Sequence, residues 1–363
     1  MARRQCGTQE TGRAVATFLG SEIYRGSTYG EWHPLAIPRV STVIDLSRAL
    51  GWLPEGAYMT SPRAKPKALA LWHEPAYIDA LERAEAAQSL PEADKDRFKL
   101  GTTMNPFFPE MYRRPATGCG GSLLAAELLA DGGVVFHPGG GTHHGMPGFA
   151  SGFCYLNDVV LAILALQHVG ARRVAYLDID AHHPDGVAHA FRDDTSVLVF
   201  SVHEENRWPR TGGAEDRGPG THINIPVKAG FDDAGLARIR DEIALPAVRA
   251  FKPDAIVLQC GADGVTDDPQ SRLSMTNNAH VAWVRAFLGL APRTLITGGG
   301  GYNPWTVGRL WTALWGVASG QRFPDRMPEA AQEVMRGLSW KRAGKPRDPK
   351  EAWIETLLDA PQT

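Results

Sequence analysis

A chain of 363 residues with 43% hydrophobic and 21% charged residues has ordinary globular composition, which excludes disordered, collagen-like and coiled-coil architectures. Its 38 basic and 40 acidic residues leave a formal charge of −2, so neither a phosphate-dominated nucleic-acid surface nor a polybasic membrane surface is expected. Cys6, Cys119, Cys154 and Cys260 are too widely spaced for a CxxC motif and too few for a disulfide framework, which points to a reducing compartment.

Residues 1–14 read as a loose polar tail, and the short apolar part beyond them lacks a convincing cleavage site, so a cytoplasmic protein is expected. Apolar residues at helical spacing predict helices over 38–53, 74–88 and 116–132, with a polar loop at 89–115. Strands are predicted at 134–136, 173–179, 196–202, 255–259 and 293–297, and helices between them at 156–170, 233–251 and 277–290. The apolar run at 159–166 is far short of the roughly 20 residues a membrane span needs, so it belongs to a core helix. This alternation predicts a three-layer α/β sandwich with a mostly parallel central sheet flanked by helices. No linker separates two units: residues 15–320 are expected to form one domain, and 321–363 a polar extension with a last amphipathic helix, packed on or beside it.

Open parallel sheets bind ligands beyond the carboxyl ends of their strands, so the loops there carry the functional argument. After the strand near 134, HPGGGTHHGMPGFASGF presents His143 and His144 together in a glycine-rich loop. Such a pair suits proton transfer near neutral pH, although an isolated one is more often a surface feature. The strand at 173–179 ends in LDIDAHHPDGV, which sets Asp178, Asp180, His182, His183 and Asp185 within eight positions. Burying so many carboxylates without a cation would be costly, and Asp180 with His182 forms a two-ligand metal clip. A purely structural cation site is the plainer alternative. Asp263, in QCGAD, stands just past the next strand and can supply a third ligand from a neighbouring loop. Three protein ligands leave a position open for water, as in catalytic zinc sites, and oxygen-rich ligation also admits Fe(II). In GGGGYNPW, Tyr302 could aim its hydroxyl at a developing oxyanion or serve as a packed aromatic.

Taken in order, GGGTHHG, SGFCYLND, LDIDAHHPDGV, QCGAD and GGGGY closely resemble the zinc-dependent histone deacetylase superfamily, including its bacterial acetoin-utilisation-like amidohydrolases. Weaker matches are HPL at 33–35 and HEPAYIDAL at 73–81, and the resemblance spans about residues 20–320. It implies an arginase/deacetylase-like fold, Zn2+ on Asp180, His182 and Asp263, and a general base and acid pair in His143 and His144. Asp178 would orient His143, Asp185 would orient His144, and Tyr302 would stabilise the oxyanion. Phe153 and Trp208 would wall an acyl-lysine tunnel, Gly152 would line the acetyl pocket, and Gln270 would stand at the rim. A structural K+ would sit on Asp178, Asp180, His182, Ser201 and Val202, and Arg39 would line an internal channel for acetate release.

The chain also departs from the family pattern. Pro184 replaces a glycine common in the HHGDG loop, no rim aspartate is recognisable in 101–112, and Gln270 stands where polyamine-selective relatives carry glutamate. The leading expectation is a zinc hydrolase that removes acetyl, or a related short acyl group, from an acylated lysine in a protein or peptide. Deacetylation of small amines such as polyamines is the alternative. More distant are a binuclear manganese ureohydrolase of the arginase type and a catalytically silent module that binds acylated ligands. No nucleic acid or membrane partner is implied, and oligomerisation is left open.

Overall fold

The computed structural model describes residues 16–342 and 345–362; the expected tail, 1–14, lies outside the described residues. Eight strands form one sheet: β1 (Thr17–Gly20), β2 (Tyr58–Thr60), β3 (Gly133–His137), β4 (Val174–Asp178), β5 (Val197–Glu204), β6 (His222–Val227), β7 (Ala255–Gln259) and β8 (Arg293–Thr297). They run in the order β2-β1-β3-β8-β7-β4-β5-β6, and every pairing is parallel. Parallel strands need crossover helices, which cover both faces and bury the inner strands throughout. Hence every residue of β4, β5 and β7 is buried, and their polar residues, Asp178, Ser201, His203, Glu204 and Gln259, gather toward the carboxyl ends.

Because successive side chains alternate across a sheet, neighbouring residues join different cores. Leu177, Leu258 and Ile296 pack with Val43, Trp311 and Trp315, from helices Val40–Ala49 and Pro304–Ala318. Tyr176, Val257 and Leu295 pack instead with Ala125, Val160 and Ile163, from helices Arg113–Leu128 and Asp158–His168. The three-layer α/β architecture follows. Among the described residues no helix is long and apolar enough to cross a membrane, and Cys119, Cys154 and Cys260 are buried free thiols.

The five predicted strands are present within a residue or two, but β1, β2 and β6 lay outside the sequence reading. The first two are only four and three residues long. Pro226 disqualifies β6 as a central strand, but β6 is a sheet edge, where a missing N–H costs no ladder bond. The predicted loop at 89–115 is corrected: Glu92–Phe98 is a helix, with Glu92 and Asp94 in its first turn and Lys95 and Arg97 in its last. That charge order suits the helix dipole, and with Phe98 as its one buried side chain no apolar periodicity announces it.

Beyond residue 320 come helix Glu329–Arg336, a hairpin of β9 (Trp340–Arg342) and β10 (Lys345–Arg347), and helix Glu351–Glu355. The fully buried Arg309 fastens this segment, donating to Thr356 O at 2.7 Å and to Asp359 Oδ1 at 2.6 Å. Trp305 adds a hydrogen bond to Met335 O at 3.1 Å and stacks on Trp353. Arg309→Met is expected to cost about 2–3 kcal/mol, because it orphans charge-assisted bonds. The check is chemical denaturation together with faster proteolysis after residue 320.

Candidate active site

Parallel register brings four strand ends to one level: Asp178 lies beside Gln259 and Ser201, Gln259 beside Thr297, and Thr297 beside His137. The loops leaving β3, β4, β7 and β8 therefore converge. Asp180 and Asp263 are both fully buried there, with His182 between them. The His182 Nδ1 lies 2.9 Å from Asp263 Oδ2 and 3.2 Å from Asp180 Oδ1, and the three ligand atoms sit within 4.8 Å of one another. Burial alone would lower the His182 pKa, but its hydrogen bonds to Asp180 and Asp263 outweigh it and push the pKa up to about 10. Burial, then the charge of Asp180, pushes Asp263 up to about 6. Two carboxylates this close demand a positive charge. Two oxygens and one imidazole nitrogen are donors that zinc accepts, so the residues fit such an ion.

The carboxylates are aimed by the backbone around them. Asp180 Oδ2 accepts from Gly300 N at 2.7 Å and Gln259 Nε2 at 2.9 Å, and Asp263 Oδ1 accepts from Ala181 N at 3.0 Å. At Gly300 a Cβ would come within 2.1 Å of Asp263 Oδ2, which explains a glycine run over these oxygens.

His143 and His144 stand side by side, ring centroids 3.9 Å apart. His143 Nδ1 lies 2.7 Å from Asp178 Oδ2, and His144 Nδ1 lies 2.6 Å from Asp185 Oδ1. Each imidazole is thereby fixed in orientation by its own carboxylate. Their proton affinities diverge. Burial opposes charge on His143, but Asp178 and Asp180 prevail and raise its pKa to about 9. Burial and the charge of His143 lower His144 to about 4.

Tyr302 is buried, and burial together with the charges of Asp263 and Asp180 raises its pKa well above the usual phenol value, so the hydroxyl remains a donor. Above it opens a cavity of about 110 Å3 whose walls include Met104, Phe153, Trp208 and Gln270 and whose floor includes His144, His182 and Tyr302. Gly152 adopts φ +54°, and a Cβ there would come within 2.4 Å of the Trp208 ring and 2.6 Å of His144. Arg39 lines an adjoining cavity together with His143, His144, Asp180, His182 and Tyr302, donates to Gly299 O at 2.7 Å and faces Trp311. A smaller chamber continues past Arg39 to Tyr24 and Arg114. Ser201 and Val202 are buried on β5, with Ser201 across from Asp178 and its hydroxyl 2.8 Å from His203 Nδ1.

Comparison with known proteins identifies the family. Residues 33–318 match the histone deacetylase domain. The chain belongs to the histone deacetylase family. It is 33% identical over 327 residues to the acetoin utilization protein AcuC of Bacillus subtilis (strain 168), covering 85% of this chain and 84% of that one. It is 34% identical over 326 residues to histone deacetylase 9 of Arabidopsis thaliana, covering 87% and 75%. Among solved structures, a histone deacetylase homolog from Aquifex aeolicus superposes with a TM-score of 0.89 at 30% identity, covering 95% of each chain. A histone deacetylase homolog complexed with SAHA gives 0.90 at 31%, again over 95% of each. The fold is therefore that of the histone deacetylases, and the family activity is deacetylation by hydrolysis.

Against the family pattern, Pro184 is absorbed without loss. It takes the N-cap position of helix Asp185–Ala190 at φ −77°, close to the angle its ring imposes, and Asp185 still reaches His144. Sequence reasoning missed three positioning groups. Gln259, the last residue of β7, is one that only strand register reveals. Asp268 accepts from Tyr302 N at 2.7 Å and Gln270 N at 2.9 Å, tying the tyrosine to the rim. Asn105, in the segment searched for a rim aspartate, accepts from Phe153 N at 3.1 Å.

Proposed function

We propose that this chain hydrolyses an acylated lysine side chain, releasing acetate or a related short acyl acid. The observation that carries the reading is the cavity walled by Phe153, Trp208 and Gly152, which His144, His182 and Tyr302 also line, with Asp180 and Asp263 grouped around that same His182. An unbranched acylamino stem suits it. Asp180, His182 and Asp263 would hold zinc, which when bound supplies Lewis acidity and eases deprotonation of water. The catalytic domain is read as residues 15–320, with 321–363 packed on it.

His144, kept neutral, accepts the proton of the attacking water and returns it to the departing amine, while Asp185 fixes its tautomer. His143, kept protonated by Asp178, places positive charge beside the tetrahedral oxyanion. The Tyr302 hydroxyl donates to that oxyanion. Arg39, held in place by Gly299 O, offers the released carboxylate a partner away from the tunnel. Asp178, Asp180, His182, Ser201 and Val202 would hold a monovalent cation, whose charge would balance carboxylates crowded at the strand ends.

The proton states set a pH profile. The neutral form of His144 is lost only as pH falls toward about 4, and the charged form of His143 is lost as pH rises through about 9. Turnover is expected to hold between these limits and fall beyond them. Asp178→Asn removes a charge that raises His143, so it should move the alkaline limb toward neutrality; a limb that stays in place refutes the assignment.

The test of function is acetate release by metal-quantified protein from an acetyl-lysine peptide, a free acetylated polyamine and a simple aryl acetamide. Preference for the peptide is expected, since Gln270 carries no charge with which to attract a polyamine. Preference for the small amines would move the function to metabolite deacetylation. Two metal ions per chain and no acetate release would favour the ureohydrolase reading.

A further inference from the structure

A larger cavity, of about 490 Å3, adjoins the tunnel, and Gln270 and Tyr302 line both. This volume lies within the range of small-molecule sites, about 300–1,000 Å3. Its outer walls come from opposite ends of the chain: Glu31 and Trp32 on one side, Trp340 and Lys341 of the C-terminal hairpin on the other. Trp32 is 80% exposed, an unusual cost for so large an apolar ring. Trp340 packs edge-on against buried Trp305, ring centroids 6.1 Å apart, so its wall is fixed relative to Tyr302, three residues before Trp305.

The charges in this groove cancel. Glu31 and Lys341 face each other at 3.5 Å, and His33, in the same wall, is kept neutral by burial. A polybasic or polyacidic segment therefore finds no net field there, whereas two indole faces reward contact with an apolar ring. Resting on the deacylase reading of the adjoining tunnel, we propose that the groove binds an aromatic or large apolar group carried by the substrate beside its acylated amine. Selection for such a neighbour, made in part by the C-terminal hairpin, would then precede the chemistry.

The experiment uses calorimetry on the full, metal-loaded chain with three peptides. In each, the acetamide of acetyl-lysine is replaced by the uncleavable, isosteric methyl ketone, and the residues on either side are Trp, Gly or Arg. The Trp peptide is expected to bind at least about tenfold tighter than the other two. Trp32→Ala, at an exposed position, and Trp340→Leu should each reduce that gap to below about threefold. Equal affinities, tightest binding of the Arg peptide, no binding at all, or a gap that survives both substitutions would overturn the proposal. Acetate release from the matching acetyl peptides is measured separately. A Trp preference in binding without acetate release leaves the groove standing and removes the deacylase reading instead.

Discussion

Asp180→Asn is expected to give a folded protein that retains no zinc and releases acetate at the background rate. The carboxylate of Asp180 accepts from Gly300 N and Gln259 Nε2 and faces His182. Asparagine keeps the shape and one acceptor oxygen but removes the negative charge that a cation needs, so loss of metal can be separated from loss of fold. Asp180→Ala should behave alike toward zinc while also leaving buried donors unpaired, at about 1–3 kcal/mol each. Chelation of the unaltered protein should mimic the substitution, with activity restored by Zn2+. Bound zinc at a thousand times its Kd would add about 4 kcal/mol of stability, visible as a higher Tm in the loaded protein. Metal content, acetate release and thermal unfolding read on the same samples decide the matter. Undiminished turnover by metal-free protein would sink the mechanism.

Tyr302→Phe is expected to lower kcat by about 10²–10³ while metal content and KM change little. This is the size of effect seen when one donor to a tetrahedral oxyanion is removed, about 2.7–4 kcal/mol. The phenol ring sits edge-on to Phe153, and its backbone N–H is fixed by Asp268, so the ring should keep its place without the hydroxyl. The substitution therefore isolates the hydrogen bond. A KM effect with unchanged kcat would make Tyr302 a wall of the tunnel and no more.

The post-strand loops were legible because buried parallel strands announce themselves as short apolar runs, and their carboxyl ends then say where to look for chemistry. Asp178, Asp180, His182, Asp185 and Asp263 stand out there by residue type and spacing, His143, His144 and Tyr302 drew their weight from the family resemblance, and the fold brings all eight together. Gln259 and Asp268 did not stand out. Their work depends on which strand lies next to which, and strand order is a long-range property that one sequence does not display. Helix Glu92–Phe98 was hidden for a local reason: it buries one side chain and is marked by charge order instead of apolar periodicity. Trp340 lay in a stretch rich in Lys, Arg and Pro, where composition suggested solvent and gave no hint of a ring resting on Trp305.

The way Arg309 and Trp305 fasten Trp353, Thr356 and Asp359 to the domain has a consequence for how such an enzyme can change. The candidate metal ligands, the histidine pair and Tyr302 all lie between β3 and helix Pro304–Ala318, whereas one wall of the neighbouring groove comes from a segment encoded after all of them. Substitutions, insertions or exchange of that terminal segment could redirect which acylated molecules are admitted without disturbing a single metal ligand. One part of the selectivity is thus written in a stretch of the chain that carries none of the chemistry.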